Sequence, residues 1–171
     1  MNVLVVVDMQ NDFIDGALGT AEAVKIVDRV TEEIRSDSYD QIIATLDTHE
    51  ENYMQTLEGK YLPVEHCIKG TEGWQIRREI MDALENRNAL LIEKPTFGSE
   101  TLVERIKEMQ PDTITLVGLC TDICVISNAL LLRAACRNTE MCVIQDACAG
   151  VTPEKHEAAL KVMESCQIQV K

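Results

Sequence analysis

Aromatic side chains and positive charge are what this chain has least of. Phe, Trp and Tyr make up only 4% of its 171 residues, and 16 Lys and Arg face 29 Asp and Glu, a formal net charge of −13. Because no basic cluster offsets that charge, the sequence argues against nucleic acid and anionic membrane surfaces as partners. The charge says little about a substrate.

Long apolar segments and export signals are also lacking. No apolar run is long enough to cross a bilayer, and the first residues, MNVLVVVDMQ, lack the basic start and extended apolar core of a secretory signal. Seven cysteines without such a signal predict free thiols and a cytoplasmic location, and no CxxC pair indicates a structural zinc site. We expect a single domain over residues 1–171.

Short β-branched runs alternate with helical patterns along the whole chain. Asn2–Val7 and Thr113–Leu119 are runs typical of parallel strands that are buried on both faces. Further strands are predicted at 41–46, 88–93, 141–145 and 167–170, and helices at 20–35, 73–85, 99–109, 123–136 and from 152 onward. This pattern predicts an α/β fold, a three-layer α/β/α sandwich with a mostly parallel, Rossmann-like sheet of strand order 3-2-1-4-5.

Cys124 lies where a cysteine nucleophile would be placed, in the first turn of a helix just after a buried strand. Free N–H groups and partial positive charge there favour a thiolate and could hold an oxyanion. Asp8 follows the first strand and Lys94 the third, so the three side chains can meet at one edge of the sheet. Individually they could be a buried thiol, a loop-capping carboxylate and a solvated lysine. Together they predict a catalytic set.

A second cluster of polar residues lies in the long segment 47–72, which has little periodicity. Asp47 and His49 are two residues apart and point the same way from an extended backbone, and Glu58 and His66 follow. Two imidazoles with one or two carboxylates suit Zn²⁺, Mn²⁺ or Fe²⁺. The alternative is that both histidines are hydrogen-bonded loop residues.

Three motifs in this order, VVDMQNDF, EKPTFGS and GLCTDICV, resemble those of the isochorismatase-like cysteine hydrolases. That superfamily includes nicotinamidases, isochorismatases and N-carbamoylsarcosine amidohydrolases, and the resemblance covers nearly the whole chain. It implies a catalytic triad of Asp8, Lys94 and Cys124. It also implies a cis peptide bond between Leu119 and Cys120, and an oxyanion hole formed by the amides of Cys120 and Cys124.

The resemblance further implies a divalent metal, with zinc the first choice and manganese or iron the alternatives, and no organic cofactor. Nicotinamidases bind it through a D-x-H pair and a later histidine, which correspond to Asp47, His49 and His66, with Glu58 as the candidate fourth ligand. True isochorismatases generally lack this set, so it favours the nicotinamidase-like branch. A homo-oligomer is expected from the habit of the family.

Nicotinamidases surround the pyridine ring of the substrate with aromatic side chains, and this chain supplies few. Phe13 and Phe97 stand where the family often has aromatics, although both could equally be core residues. The candidate pocket residues are Phe13, Leu18, Trp74 and Phe97.

The predicted function is hydrolysis of a small carboxamide through a Cys124 thioester, by an enzyme acting on carbon–nitrogen bonds of linear amides. Alternatives within the fold are a vinyl-ether hydrolase, an amidase for N-carbamoyl or ureido substrates, and an inactive partner-binding relative. The non-enzyme alternative is a nucleotide-binding flavodoxin-like module, but Asp8, Asp12 and Asp15 after the first strand would repel phosphate. His156, on a helix far along the chain, is interpreted as structural or surface-exposed.

Overall fold

Six parallel strands form one sheet in a computed structural model that describes residues 1–171. Their order is β3-β2-β1-β4-β5-β6, so the predicted parallel sheet and its strand order are confirmed. The flavodoxin-like order, 2-1-3-4-5, is a different one. The strands are β1 Asn2–Val7, β2 Gln41–Asp47, β3 Leu90–Lys94, β4 Thr113–Leu119, β5 Glu140–Ala149 and β6 Gln169–Val170.

Eight α-helices complete the fold, and none of them combines the length and apolar character needed to span a membrane. A 3-10 helix at Tyr53–Gln55 and a π-helical turn at Thr121–Val125 lie between them. The α-helices are α1 Asn11–Ile14, α2 Ala21–Lys25, α3 Val27–Arg35, α4 Leu57–Tyr61, α5 Arg78–Asn86, α6 Glu100–Met109, α7 Ile126–Ala135 and α8 Pro153–Ser165.

The central strand β1 shows how the sheet divides the core into two layers. Leu4 and Val6 belong to a buried cluster that includes α3 and α5, whereas Val3, Val5 and Val7 belong to one that includes α6, α7 and α8. Side chains of a strand alternate between its faces, so a continuous apolar run fills both layers. This confirms the sandwich predicted from the sequence.

Three of the element boundaries that differ from the prediction have a reason in the contacts of the backbone. The helix predicted from residue 73 begins only at Arg78, because the preceding segment bonds to the loop after β1 through Asp12 N to Gly73 O and Arg77 N to Met9 O. The helix predicted over 20–35 is divided at Ile26 into α2 and α3. Strand β5 continues past residue 145 to Ala149, because its pairing with β4 resumes after a bulge.

The carboxyl edge of the sheet is tightly packed where β1 and β4 are neighbours. Gly118 has φ +117°, and a Cβ there would lie 2.2 Å from the carbonyl oxygen of Val7. Only glycine allows this approach of the two backbones. It brings the residue after β1, Asp8, beside the turn that follows β4.

Candidate active site

Three of the predicted side chains meet at this edge of the sheet. Lys94 Nζ lies 2.6 Å from Asp8 Oδ2 and 3.5 Å from Cys124 Sγ. Asp8, Lys94 and Cys124 are 0%, 1% and 5% exposed. The hydroxyl of Thr45 on β2 donates to Asp8 Oδ1 over 2.7 Å, and Lys94 Nζ also donates to the Thr96 carbonyl over 2.9 Å. The ammonium is thus held between the acid and the thiol.

Burial dominates the electrostatics of these three groups. It raises the pKa of Asp8, against the opposing charge of Lys94. Burial alone would lower the pKa of Lys94, but the charges of Asp8 and Cys124 raise it. Burial and the charge of Asp8 raise the pKa of the Cys124 thiol well above its ordinary value, and Lys94 offsets this only in part. The raised pKa values of Lys94 and Cys124 therefore indicate an ammonium, in contact with Asp8, beside a neutral thiol.

This electrostatic state corrects one expectation from the sequence. The helix end and the ammonium were expected to favour a thiolate at Cys124, but burial removes the hydration of a charge on sulfur, and that cost is larger. Lys94 Nζ contacts both Asp8 Oδ2 and Cys124 Sγ, so the carboxyl group and the thiol face the same ammonium.

The turn that carries Cys124 is π-helical, a conformation that occurs frequently at functional sites. The carbonyl of Cys120 accepts hydrogen bonds from the N–H groups of Ile123 and Val125, at 3.0 and 3.1 Å. The peptide bond between Leu119 and Cys120 is cis, as the family resemblance implies. We call residues Thr121–Val125 the nucleophile turn.

Asn128 on α7 holds the nucleophile turn to the loop after β3. Its Nδ2 donates to the carbonyls of Cys124 and Phe97, at 2.8 and 3.1 Å, and its Oδ1 accepts from the Ser99 N–H at 2.9 Å. All three partners are backbone groups, and Asn128 is fully buried. The side chain therefore fixes the nucleophile turn relative to the segment that follows Lys94.

The four predicted metal ligands also come together. Ligand atoms of Asp47, His49, Glu58 and His66 all lie within 4.8 Å of one another. Asp47 Oδ2 is 2.9 Å from His49 Nε2 and 3.4 Å from His66 Nε2, and Glu58 Oε1 is 3.6 Å from each of these nitrogens. A tetrahedral site with zinc–ligand distances of 2.0–2.2 Å has edges of about 3.3–3.6 Å. Three of the four separations match these edges, so the donor types and their spacing suit a zinc-sized ion.

Neighbouring groups orient these ligands. His66 Nδ1 donates to the Val64 carbonyl over 2.8 Å, which directs its Nε2 at the cluster. Tyr53 is fully buried, with ring centroids 4.8 Å from His49 and 5.0 Å from His66. Burial would raise the pKa of Asp47, but hydrogen bonds from both histidines lower it, so its carboxylate is ionised.

Asp47 links the two clusters. Its Oδ2 faces the histidines, while its Oδ1 lies 3.5 Å from Lys94 Nζ. Gln10 holds the Asp47 backbone in both directions, because its Nε2 donates to the Asp47 carbonyl at 2.8 Å and its Oε1 accepts from the N–H at 2.7 Å. The metal ligands and the Cys124 group thus form one continuous polar site.

A largely apolar groove of about 650 Å³ opens beside this site. The groove is lined by the three residues that follow Lys94 in the chain, Pro95, Thr96 and Phe97, and by Ile123, the residue before Cys124. Its outer wall is α4 with exposed apolar side chains. The groove is lined by His49, Thr56, Leu57, Glu58, Tyr61, Leu62, Pro95, Thr96, Phe97 and Ile123.

Of the predicted pocket residues, the structure brings Phe97 to this groove. Phe13 is buried, with its ring centroid 5.5 Å from that of His66. Leu18 packs against the core cluster on the α3 side of the sheet. Trp74 lines a separate groove between α5 and β3, because its Nε1 donates to the Thr48 hydroxyl at 2.9 Å and its carbonyl accepts from Gln10.

Comparison with known proteins assigns the family. Residues 2–170 match the family model described as the isochorismatase domain. The chain belongs to the isochorismatase family. The resemblance drawn from the three motifs is thereby confirmed.

Relatives in this family cover almost the full chain. A nicotinamidase/pyrazinamidase of Mycobacterium tuberculosis is 27% identical over 188 residues, 99% of this chain and 98% of its own. The crystal structure of a nicotinamidase/pyrazinamidase from Bacillus subtilis is 28% identical, with a TM-score of 0.87 over 99% of this chain and 98% of that one. A pyrazinamidase of Pyrococcus horikoshii in complex with zinc is 27% identical, with a TM-score of 0.81 over the same shares.

Several residues around this isochorismatase-family site were missed from the sequence. Thr45 and Asn128 lie inside a strand and a helix, where a polar residue in an apolar run was the only available signal. Tyr53, Leu57 and Tyr61 lie in the long segment without periodicity, so nothing in the sequence placed them against the histidines or the groove.

Proposed function

We propose that the chain is an amidohydrolase that releases ammonia from a small uncharged carboxamide of the nicotinamide or pyrazinamide type. The observation that carries this proposal is the placement of Lys94 Nζ, 2.6 Å from Asp8 and 3.5 Å from Cys124, beside an apolar groove. The nicotinamidases and pyrazinamidases among the relatives support this class of substrate. The residues of this chain support the chemistry.

In the first half-reaction, Asp8 accepts the proton of the Cys124 thiol as the sulfur attacks the carboxamide carbon. Its raised pKa makes Asp8 a better base than an ordinary aspartate, and Lys94 stabilises the developing thiolate. The carbonyl oxygen becomes an oxyanion, which the amides of Cys120 and Cys124 would hold. Asp8 then returns the proton to the amide nitrogen, the C–N bond breaks and ammonia leaves a thioester.

In the second half-reaction, water cleaves the thioester. Asp8 takes a proton from the water, whose oxygen attacks the thioester carbon, and then returns the proton to the sulfur as it departs. The products are the carboxylic acid and the resting thiol. Throughout both steps Lys94 keeps its proton, because the charges around it raise its pKa.

Asp47, His49, Glu58 and His66 would hold a divalent metal, for which zinc is our proposal with manganese and iron as alternatives. A bound ion supplies a Lewis acid beside the groove that can orient a polar atom of the substrate or a water. His49 and Glu58 also line the groove, so the cluster adjoins the space where a substrate ring would lie. Retention of the metal can be measured by elemental analysis, and His66→Ala should reduce the stoichiometry.

The groove favours an uncharged substrate over the alternatives. Glu58 is its only charged lining residue, and no Lys or Arg lines it. Isochorismate is a dicarboxylate and N-carbamoyl amino acids carry a carboxylate, and the groove offers neither of them a lysine or arginine partner. Leu57, Leu62, Phe97 and Ile123 instead offer apolar contact to an aromatic ring.

The test is ammonia release from nicotinamide and pyrazinamide, with isochorismate and N-carbamoylglycine as competing substrates. We expect turnover of the first two, and an acyl adduct on Cys124 when the reaction is quenched and examined by mass spectrometry. Cys124→Ala should abolish turnover, whereas the control Cys142→Ala, a buried thiol on β5, should retain it. Turnover by Cys124→Ala at the wild-type rate would contradict the mechanism.

Three further expectations stay predictions. They are the single domain, the homo-oligomer and the cytoplasmic location. Limited proteolysis, light scattering after size exclusion, and cell fractionation test them in turn.

A further inference from the structure

A hydrogen bond joins the nucleophile turn to a histidine outside the catalytic set. Thr121, the first residue of the turn, is fully buried, and its Oγ1 lies 2.8 Å from His156 Nδ1. His156 lies near the start of α8 and is only partly buried. The mechanism above gives neither side chain a role.

The same junction is closely packed on both sides of this bond. Asp122 Oδ1 accepts from the Val151 N–H over 2.9 Å. A Cβ on Gly150 would lie 2.8 Å from the backbone nitrogen of His156 and 2.9 Å from Asp122 Oδ1, so there is no room for a side chain. The beginning of the nucleophile turn is therefore docked against the loop that leads into α8.

We propose that His156 is a positioning residue for the nucleophile and acts through Thr121. Their hydrogen bond fixes the first residue of the turn and so sets the direction in which Cys124 Sγ faces Lys94. The same bond sets the direction of the Cys120 and Cys124 amides. The expected effect of His156 on turnover rests on the proposed function. Preorganised groups of this kind are sensitive to small displacements, and a shift of 1 Å can cost about 10²-fold in rate.

Four variants separate positioning from mere packing. Thr121→Val removes the hydroxyl and keeps the shape of the side chain. His156→Asn places an amide where Nδ1 lies, His156→Gln places it where Nε2 lies, and His156→Ala removes both. Lys155→Ala, an exposed neighbour on the same helix, is the matched control.

We expect Thr121→Val, His156→Ala and His156→Gln to lower kcat about tenfold with KM changed less than about twofold. His156→Asn should stay within about threefold of the wild type, and Thr121→Val/His156→Ala should be no slower than either single variant, because both remove the same bond. Equal loss in His156→Asn and His156→Gln, additive losses, or a change confined to stability would overturn the proposal.

A second readout does not depend on the substrate. The rate at which iodoacetamide alkylates Cys124, measured by peptide mass spectrometry, should fall in Thr121→Val and His156→Gln and stay near wild type in His156→Asn and Lys155→Ala. If the wild-type protein hydrolyses no carboxamide, the proposed function fails while this comparison still decides the inference. Unchanged alkylation in Thr121→Val and His156→Gln would refute it.

Discussion

Replacing Lys94 by Met removes the only cation in contact with Asp8 and keeps a chain of similar length. Asp8 would then either remain ionised without a partner or take up a proton. Because protonation is available, the loss of folding stability cannot exceed the free energy of protonating Asp8. With an unfolded-state pKa near 3.9, holding the carboxyl protonated at pH 7 costs about 4 kcal/mol, since each pKa unit corresponds to about 1.4 kcal/mol. This is comparable with measured losses when one partner of a buried ion pair is removed.

The pH dependence of this loss has a definite sign. Burial already raises the pKa of Asp8, and removal of Lys94 raises it further. When the pKa of an acid is higher in the folded than in the unfolded protein, the acid stabilises the fold at a pH below its unfolded-state pKa. That stabilisation is lost as the pH rises through the folded-state pKa. Because the pKa of Asp8 is already raised in the wild type, Lys94→Met should be destabilised by at most about 4 kcal/mol at pH 7 and at most about 1.5 kcal/mol at pH 5.

Urea unfolding of metal-free protein, followed by the fluorescence of the single tryptophan, Trp74, measures both values. The double variant Asp8→Asn/Lys94→Met exchanges the ion pair for neutral groups of similar size and should recover most of the stability at pH 7. A double-variant loss equal to the sum of the single losses, or a Lys94→Met loss that does not change between pH 5 and 7, would refute the reasoning.

Three more variants test other parts of the structure. Asn128→Leu leaves three backbone groups without their partner and should lower the free energy of unfolding, measured in urea titrations, by about 3 kcal/mol. Asn128→Asp keeps the acceptor for the Ser99 N–H, so its loss of stability should be intermediate. Phe97→Ala should raise KM for nicotinamide about fivefold with kcat little changed, since an aromatic contact contributes about 1 kcal/mol; an unchanged KM would place the ring elsewhere. Burial raises the pKa of Cys148 from 9.0 to about 12, so the stability that its thiol contributes is present below pH 9 and is lost as the pH rises toward 12. Cys148→Ala should therefore lose about 3 kcal/mol less than the wild type between pH 9 and pH 11 in chemical denaturation, and parallel losses would contradict the assignment.

The grouping of the polar side chains could be predicted from the sequence because they lie at or just after the ends of strands. Asp8 follows β1, Lys94 ends β3 and Cys124 lies in the turn between β4 and α7. The period and length of the apolar runs indicate such positions. The D-x-H spacing did the same for Asp47 and His49. Their meeting point then follows from the strand order at the centre of the sheet.

The rest depends on contacts between distant segments. Trp74, a predicted pocket residue, lines a separate groove, because residues 73–77 bond to the loop after β1 instead of forming a helix. Leu57 and Tyr61, which line the groove, belong to a five-residue helix inside a long loop. A helix this short shows no hydrophobic periodicity in the sequence. The pKa of Cys124 was expected to fall and instead rises, because desolvation is set by packing that no local pattern reveals.

The neutral resting state of Cys124 has a consequence for oxidative damage. Hydrogen peroxide reacts with thiolates, and sulfenic and sulfinic acids form fastest on exposed cysteines of low pKa. In the proposed mechanism this buried, protonated sulfur releases its proton only to Asp8, when an electrophilic carbon arrives, and it would be a poor target between turnovers. We therefore expect substrate-free protein to keep its activity through peroxide exposures that inactivate cysteine enzymes whose nucleophile is ionised at rest.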